Sequence, residues 1–510
     1  MENNVILLLC FAKMAVKPPD TRMLLREVKH MEKFFKLKEN NTTVRTEIAA
    51  GLTTFFAMAY IVFVNPNQVA AGGAEGWLTV LGADGAVLGQ IWNAVYIASV
   101  LAAVTGTLLM AFLAKLPYAQ ACGMGLNAFF CTCFVSGAFF KGVDLLTGYH
   151  SGLVIIFISG LVFLLLSVTG LRTYIAKAMP DCLKKAIPAG IGLFIAFIGF
   201  QNAGIIQTNP YTLVQFVDIN GAIENGVFKE TALPALIALL GLLIIGILGK
   251  LKVKGNVIIG IIASTVLYYL FTWTVPSFDL GNVGQSFKDF GSVGIAGLFN
   301  GAAWTNAFTG AHVGSIFNAI MLIVTFCLVD MFDTLGTLYG TAAQANMLDE
   351  NGDPIRVDKA MLCDSAATVA GAVLGTSTCT TFVESSAGVA EGGRTGLTSV
   401  VTAICFAVCL FLSPLAGIVP SAATASALIY VGVLMVKSFA KVDMDDLRSA
   451  IPAFVALIMM PMTYSIANGI GLGCITYVIM TLCTGKYKKK DIVVTVISLL
   501  FVLKFMFVTM

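Results

Sequence analysis

GTSTCTTFVESSAGVAEGGRTG, residues 375 to 396, is polar where its neighbours on both sides are apolar, and its reading decides the fold. The first part is rich in Thr and β-branched residues, which favour extended backbone. Glu384 follows Thr381 in capping-box spacing, so a short extended piece should give way to a helix near Phe382. An apolar span is thus broken in its middle. A helix that begins there presents unpaired N–H groups to a ligand. The plainer alternative is that Glu384 only caps that helix, which is compatible with binding.

The surroundings of this stretch are membrane. Over 510 residues the chain is 58% hydrophobic and 12% charged, with mean hydropathy +0.89. A soluble chain carries about twice that share of charge. Its apolar residues gather into runs of roughly 20, the length a helix needs to cross the hydrocarbon core. Such windows fall near residues 48–65, 91–114, 121–139, 151–170, 186–206, 231–249 and 256–274. A polar stretch with Trp304 follows, then windows near 312–338, 360–375, 378–391, 396–414, 419–437, 450–466 and 468–484. The reading is an all-α polytopic membrane protein with about 14 transmembrane segments.

Short cytoplasmic loops are enriched in Lys and Arg, which tests this count. With a cytoplasmic N-terminus, the even-numbered loops contain Lys115; Arg172, Lys177, Lys184 and Lys185; Lys250, Lys252 and Lys254; Arg356 and Lys359; Arg394; and Lys437, Lys441 and Arg448. The run Lys486 to Lys490 is then also inside. The last apolar stretch, Ile492 to Met510, is interrupted by Lys504 and reads as an interfacial helix in preference to a fifteenth span. Seven segments per half place two similar halves in opposite orientation, the inverted-repeat architecture of many transporters. Ile187-Pro188-Ala189 and Val419-Pro420-Ser421, which open segments five and twelve, give this faint sequence support.

Two further polar signals lie inside apolar segments. FCLVDMFDTLGT puts Asp330 and Asp333 three apart on neighbouring positions of one helical face. Each carboxylate costs roughly 2.5–3.5 kcal/mol to insert at mid-helix, so the pair needs water, a partner or a proton unless one lies at a solvated helix end. In YAQACGMGLNAFFCT, residues 118–132, Gly123 and Gly125 permit irregular backbone and Asn127 supplies a donor and an acceptor. Interrupted segments in corresponding places of two halves point to a transporter binding site near the bilayer midplane.

At these residues the chain resembles the nucleobase–cation symporter family 2, in its AzgA-like branch of purine permeases, over residues 31–510. The phrases that carry the resemblance are AGLTTFFAMAYIVFVNP (50–66), GMGLNAFF (123–130), VDMFDTLGTLYG (329–340), GTSTCTTFVESSAGVAEGGRTGLT (375–398) and AIPAFVALIMMPMTYSIANGIGLG (450–473). It implies a uracil-permease-like fold of two inverted seven-segment repeats, with segments 3 and 10 each interrupted by a short strand. The implied division is a cytoplasmic segment 1–47, a core domain of 48–170 and 312–414, a gate domain of 171–274 and 415–484, an extracellular connection 275–311 and a basic, apolar C-terminal segment 485–510. The resemblance also implies that the carboxylates of segments eight and ten hold the substrate between the two domains. Carried over by motif, these are Asp330 and Asp333, with Glu384 and the Asn127 amide.

The chemistry suits a purine independently of the name. A neutral base offers ring N–H donors to carboxylates, and ring nitrogens or carbonyls to N–H groups. The candidate substrate-binding set is Glu384, Asp330, Asn127, Thr381, Ser385 and Phe56. Phe55, Phe56 and Phe129 are candidates for stacking, although with 36 Phe in the chain lipid or core contact is the commoner role. A carboxylate in low dielectric changes charge with protonation, so Asp333 or Asp330 is the expected proton carrier for symport at the cell membrane. Sodium is not excluded as the coupling ion, and a homodimer stays open.

Other functions fit less well. A net charge of +3 without a basic patch gives no footprint for nucleic acid. The 12 Cys show no framework spacing, and His30, His150 and His312 are scattered, so disulfides, zinc and haem are not expected and no cofactor is needed. Asp349 to Asp353 lacks the Gly and Glu of a calcium loop, with Pro354 and Ala360 in their places. No glycine motif is completed for ATP. A sulfate-transporter-like anion carrier would not line its site with three acids, an intramembrane enzyme lacks a Ser/His or His/Asp pair, and a channel does not need two broken helices. At the start, Met31 opens MEKFFKLKENNTTVRTE like a natural first residue, so residues 1–30 read as an extension of the frame or a tail, and they make a poor signal peptide.

Overall fold

The computed structural model describes residues 32–71, 77–170, 179–209, 211–253, 255–274, 282–345, 347–350 and 354–507. The segment before Met31, the basic-loop residues Arg172, Lys177 and Lys254, and 351–353 of the acidic turn lie outside the described residues.

The first half runs α1 Val44–Met58, α2 Ile61–Val69, α3 Gly85–Leu109, β1 Gln120–Cys122, α4 Met124–Phe130 and α5 Leu145–Val168. It continues through α6 Asp181–Asn202, a hairpin of β2 Ile206–Asn209 and β3 Leu213–Phe216, α7 Phe228–Lys250 and α8 Asn256–Thr272. Two short helices, α9 Asn282–Asp289 and α10 Gly301–Thr309, lead to α11 Ile316–Ala345, α12 Val357–Leu374, β4 Cys379–Thr381, α13 Ser385–Ala390 and α14 Gly396–Val408. The chain ends in α15 Ser421–Val436, α16 Leu447–Met462, α17 Ile466–Cys483 and α18 Ile492–Phe507. Helix starts follow side-chain caps: Thr43, Asp84, Asp144, Thr395 and Ser465 each accept a first-turn N–H.

Among the described residues, eight helices are long and apolar enough to cross a membrane. Shorter apolar helices include Met124–Phe140, Gly396–Phe411 and Leu447–Met462. They fall into two packed groups. One gathers α1 to α5 and α11 to α14 around the strands, with α12 lying on α3 and α5 and α14 on α1 and α3. The other centres on α6, which packs against α15 and α16, with α7 and α8 on α15 and with α17 on α16. Small residues let α6 come close to its neighbours. A Cβ added at Gly192 would sit 2.5 Å from Met435 Cβ and 3.0 Å from the Gly432 carbonyl oxygen.

The centre of the molecule is a two-stranded antiparallel ribbon. β1 and β4 pair as Gln120 with Thr381, Ala121 with Thr380 and Cys122 with Cys379, and every residue of both strands is buried. The ladder extends at both ends, through Phe382 N–H to the Ala119 carbonyl (3.1 Å) and Gly123 N–H to the Thr378 carbonyl (3.0 Å). Both strands are edges, and a bare edge inside a membrane protein is costly. Hydroxyls satisfy them. Thr107 Oγ1 accepts the Gln120 N–H at 3.0 Å, Thr368 Oγ1 accepts the Cys379 N–H at 3.1 Å, and Ser385 Oγ accepts the Ala119 N–H at 3.0 Å.

This ribbon corrects one expectation. The helix after β4 begins at Ser385 and not near Phe382, with Glu384 at its N-cap position and without a side-chain cap bond. The reason is the ladder: Thr381 and Phe382 are held in strand pairing with Gln120 and Ala119, so the capping box cannot form. The amides of Ser385, Ser386 and Ala387 instead go to the carbonyls of Phe382, Val383 and Glu384. Gly388 then lets α13 rest on α1, since a Cβ there would lie 2.1 Å from Thr54 Oγ1.

Candidate functional site

Between the strand-bearing group and the α6 group lies a cavity with about 360 Å³ of empty space, open solvent at its mouth included. Its polar wall comes from Asp333 and Thr337 on α11 and from Thr380, Thr381 and Glu384 around the end of β4. Its apolar wall comes from Ile195 on α6 and Val431 and Met435 on α15. Met124 and Gly125, in the first turn of α4, close it. N–H groups of a first turn have no intrahelical acceptor and are free to meet a ligand. Gly125 is needed for closeness, because a Cβ there would stand 2.7 Å from Ile191 Cγ2.

Two carboxylates therefore share one small space. Glu384 Oε1 accepts the Tyr60 hydroxyl at 2.6 Å, while Oε2 is buried and has no partner among the described residues. A buried acceptor without a donor costs on the order of 1–3 kcal/mol. A ligand N–H arriving at Oε2 would remove that cost.

The other expected site residues stand in different places. Asp330 does not line the cavity: it is 1% exposed, and its Oδ2 accepts the Thr368 hydroxyl at 2.7 Å behind β4. Asn127 is also behind the wall, donating to Asn65 Oδ1 at 2.8 Å and accepting from the Ser377 hydroxyl. Ser385 is fully buried, its oxygen spent on the Ala119 amide. Thr381 is on the wall and takes a hydrogen bond from Gln120 Nε2 at 3.3 Å. Phe56 is 47% exposed and lies beside Phe55 and Gly255, away from the cavity lining. Phe129 is core, its ring 4.9 Å from that of Phe326.

Several residues of the site escaped the sequence reading. Tyr60, Thr337, Gln120 and Asp364 are polar groups inside apolar runs, and that contrast was the available signal. Asp364 is fully buried, accepting from Gln120 Nε2 at 3.1 Å and from the Thr334 hydroxyl at 2.7 Å. No cluster of three or more His, Cys, Asp or Glu suited to a metal ion occurs among the described residues.

The sequence profile of the Permease family matches residues 45–472. The guanine/hypoxanthine permease PbuG of Bacillus subtilis is 42% identical over 94% of this chain and 100% of its own length. The adenine permease AdeP of Escherichia coli is 38% identical over 94% and 96%. Among solved structures, the transmembrane domain of the cyanobacterial bicarbonate transporter BicA superposes with a TM-score of 0.56, covering 83% of this chain and 97% of that one at 14% identity. The structure of SLC26A9 superposes with 0.54 at 11% identity, covering 87% and 66%. At such identity these two speak for the fold alone. The relatives are permeases, in agreement with the resemblance at GMGLNAFF and VDMFDTLGTLYG, and the chain is a multi-pass membrane protein of the Permease family.

Proposed function

We propose that this protein imports purine nucleobases, guanine, hypoxanthine or adenine, across the cell membrane by proton symport. The observation that carries the reading is the pairing of Asp333 and Glu384 on one cavity wall. Two carboxylates opposite an apolar face suit a flat, neutral heterocycle with ring N–H donors. Relatives at 42% and 38% identity are a guanine/hypoxanthine and an adenine permease, which supports the purine class. The fold also supports an anion carrier, but a cavity lined by two acids repels an anion, and that reading is second.

In this proposal Glu384 and Asp333 accept the base's N–H groups, Thr337, Thr381 and the first turn of α4 complete the set, and Asn127 and Ser385 hold the wall from behind. Ile195, Val431 and Met435 cover the base's face. The fourteen segments form two inverted repeats, and the α6 group, 171–274 with 415–484, rocks as a gate against a core of 48–170 with 312–414. Alternating access follows from that motion. A proton taken up on an acid of the core neutralises the site for the crossing. A homodimer is compatible with it.

The test is uptake of labelled guanine, hypoxanthine, adenine and uracil by cells lacking their own permeases. Saturable purine uptake that collapses with the proton gradient and is abolished by Glu384→Gln is the expected result. Purine entry driven by sodium instead would overturn the coupling, and absence of any purine entry with the native chain in the membrane would overturn the substrate.

A further inference from the structure

Behind the cavity wall runs a chain of three hydrogen-bonding side chains that the binding set does not use. Thr380 belongs to the wall. Its Oγ1 lies 2.7 Å from Thr334 Oγ1, and the Thr334 hydroxyl lies 2.7 Å from Asp364 Oδ2. Thr334 and Asp364 are fully buried and Thr380 is 2% exposed, so water does not interrupt the chain. The other oxygen of Asp364 already accepts from Gln120 Nε2 at 3.1 Å. A proton on Asp364 therefore belongs on Oδ2, the atom facing Thr334.

Hydroxyl bookkeeping fixes what each charge state does. A Thr hydroxyl has one proton and two acceptor positions. With Asp364 ionised, Thr334 must donate to Oδ2, so Thr380 donates to Thr334 and turns lone pairs to the cavity. The Thr381 N–H, 3.4 Å from Thr334 Oγ1, occupies the second acceptor position of Thr334 in either state. With Asp364 protonated, Oδ2–H donates to Thr334, Thr334 donates to Thr380, and the Thr380 proton is released toward the cavity.

We propose that Thr334 is a proton relay that makes Thr380 an acceptor when Asp364 is ionised and a donor when Asp364 is protonated, so that proton and purine bind together. The inference rests on the purine symport reading above. A proton arriving from cavity water bonds to Thr380 Oγ1. The proton that Thr380 held passes to Thr334, and that of Thr334 passes to Asp364 Oδ2. Three O–H bonds form, three break counting the one to the delivering water, and one proton is gained. The same hops leave every hydroxyl in the reversed orientation. Among the described residues, the titratable groups facing Asp364 include Asp330 on α11, Cys379 on β4 and Cys363 on its own helix. A purine with a ring nitrogen or carbonyl toward Thr380 and N–H groups toward Glu384 and Asp333 binds the protonated state better. By linkage the base then raises the proton affinity of Asp364 by the same factor.

The experiment is equilibrium binding of labelled hypoxanthine, guanine and adenine to the purified full-length chain in lipid nanodiscs, from acid to mildly alkaline pH. The native chain is expected to lose affinity as pH rises, by at most about tenfold per pH unit for one coupled proton. Thr334→Val should bind more weakly with a flat pH profile, and Thr334→Ser should regain the native slope. Asp364→Asn, whose amide donates permanently to Thr334, should hold the acid-pH affinity at every pH. That variant also decides the matter if Thr334→Val does not fold. A native slope retained in Thr334→Val or in Asp364→Asn overturns the relay, as does native binding with no pH dependence. A native chain that binds none of the three bases overturns the purine reading itself.

Discussion

Tyr60 and Glu384 are 324 residues apart in sequence and joined by a 2.6 Å hydrogen bond, the hydroxyl donating to Oε1. The bond fixes which oxygen of Glu384 is left for a ligand. Tyr60 stands at the break between α1 and α2, so the first pair of helices orients the acid carried by the end of β4.

Tyr60→Phe removes the donor without changing the ring. The carboxylate is then free to rotate, and about 1.4 kcal/mol of lost orientation corresponds to a tenfold fall in kcat/KM for purine uptake. Initial-rate kinetics in permease-deficient cells measure it. Kinetics equal to the native chain at equal membrane abundance would show that Glu384 needs no help.

The acids of α11 should separate into two phenotypes. Asp333 lines the cavity, so Asp333→Asn is expected to raise the KM for the base while the melting temperature of the detergent-solubilised chain stays near native. Asp330 holds Thr368, which in turn holds the edge of β4 at Cys379. Asp330→Ala should lower the melting temperature, because the Thr368 hydroxyl keeps only the Cys379 carbonyl at 3.0 Å and a buried hydrogen bond worth about 0.5–1.5 kcal/mol is lost. The reverse pattern would exchange their roles.

Glu47 is fully buried in α1 and caps α14. Its carboxylate accepts the N–H of Arg394 at 2.9 Å and of Thr398 at 3.1 Å, and the hydroxyls of Thr395 at 2.8 Å and Thr398 at 2.7 Å. Glu47→Ala leaves these buried donors without a partner, a loss of about 3 kcal/mol or more. Glu47→Gln keeps one acceptor oxygen and should fall between Ala and the native chain. Thermal denaturation of the three proteins, which should rank in that order, is the check.

Much of this architecture was legible in local pattern, and the parts that were not depend on contacts between distant residues. The polar break at 375–396 and the glycines of 123–125 announced two interrupted segments, and β1 and β4 are there. Their partners could not be read: Thr107, Thr368 and Ser385 satisfy the strand edges, and nothing in a Thr or Ser says which carbonyl or amide it will meet. The capping-box spacing misled because pairing of Thr381 with Gln120 outweighs a local cap. Asp330 and Asp333 sit about 60° apart around a helix, near enough to share a face in a sequence diagram. Rotation of α11 then sends one to the cavity and the other behind the strand. Tyr60 was hidden in the apolar phrase FAMAYIVF, where a hydroxyl looks like one more ring.

The direction in which the chain crosses the membrane can be tested at one thiol. Cys483 ends α17, just before the basic run Lys486 to Lys490, and is exposed, whereas Cys122, Cys379 and Cys474 are buried. The Lys and Arg bias predicts that this end faces the cytoplasm. A membrane-impermeant maleimide should therefore label a Cys10→Ser chain in inside-out vesicles and spare it in intact cells. Adding Cys483→Ser should remove the signal. The buried thiols should stay silent in both preparations, because reaction requires access as well as thiolate. Labelling of Cys483 from outside intact cells would reverse the orientation of every segment, and with it the side to which the proposed site at Glu384 and Asp333 opens.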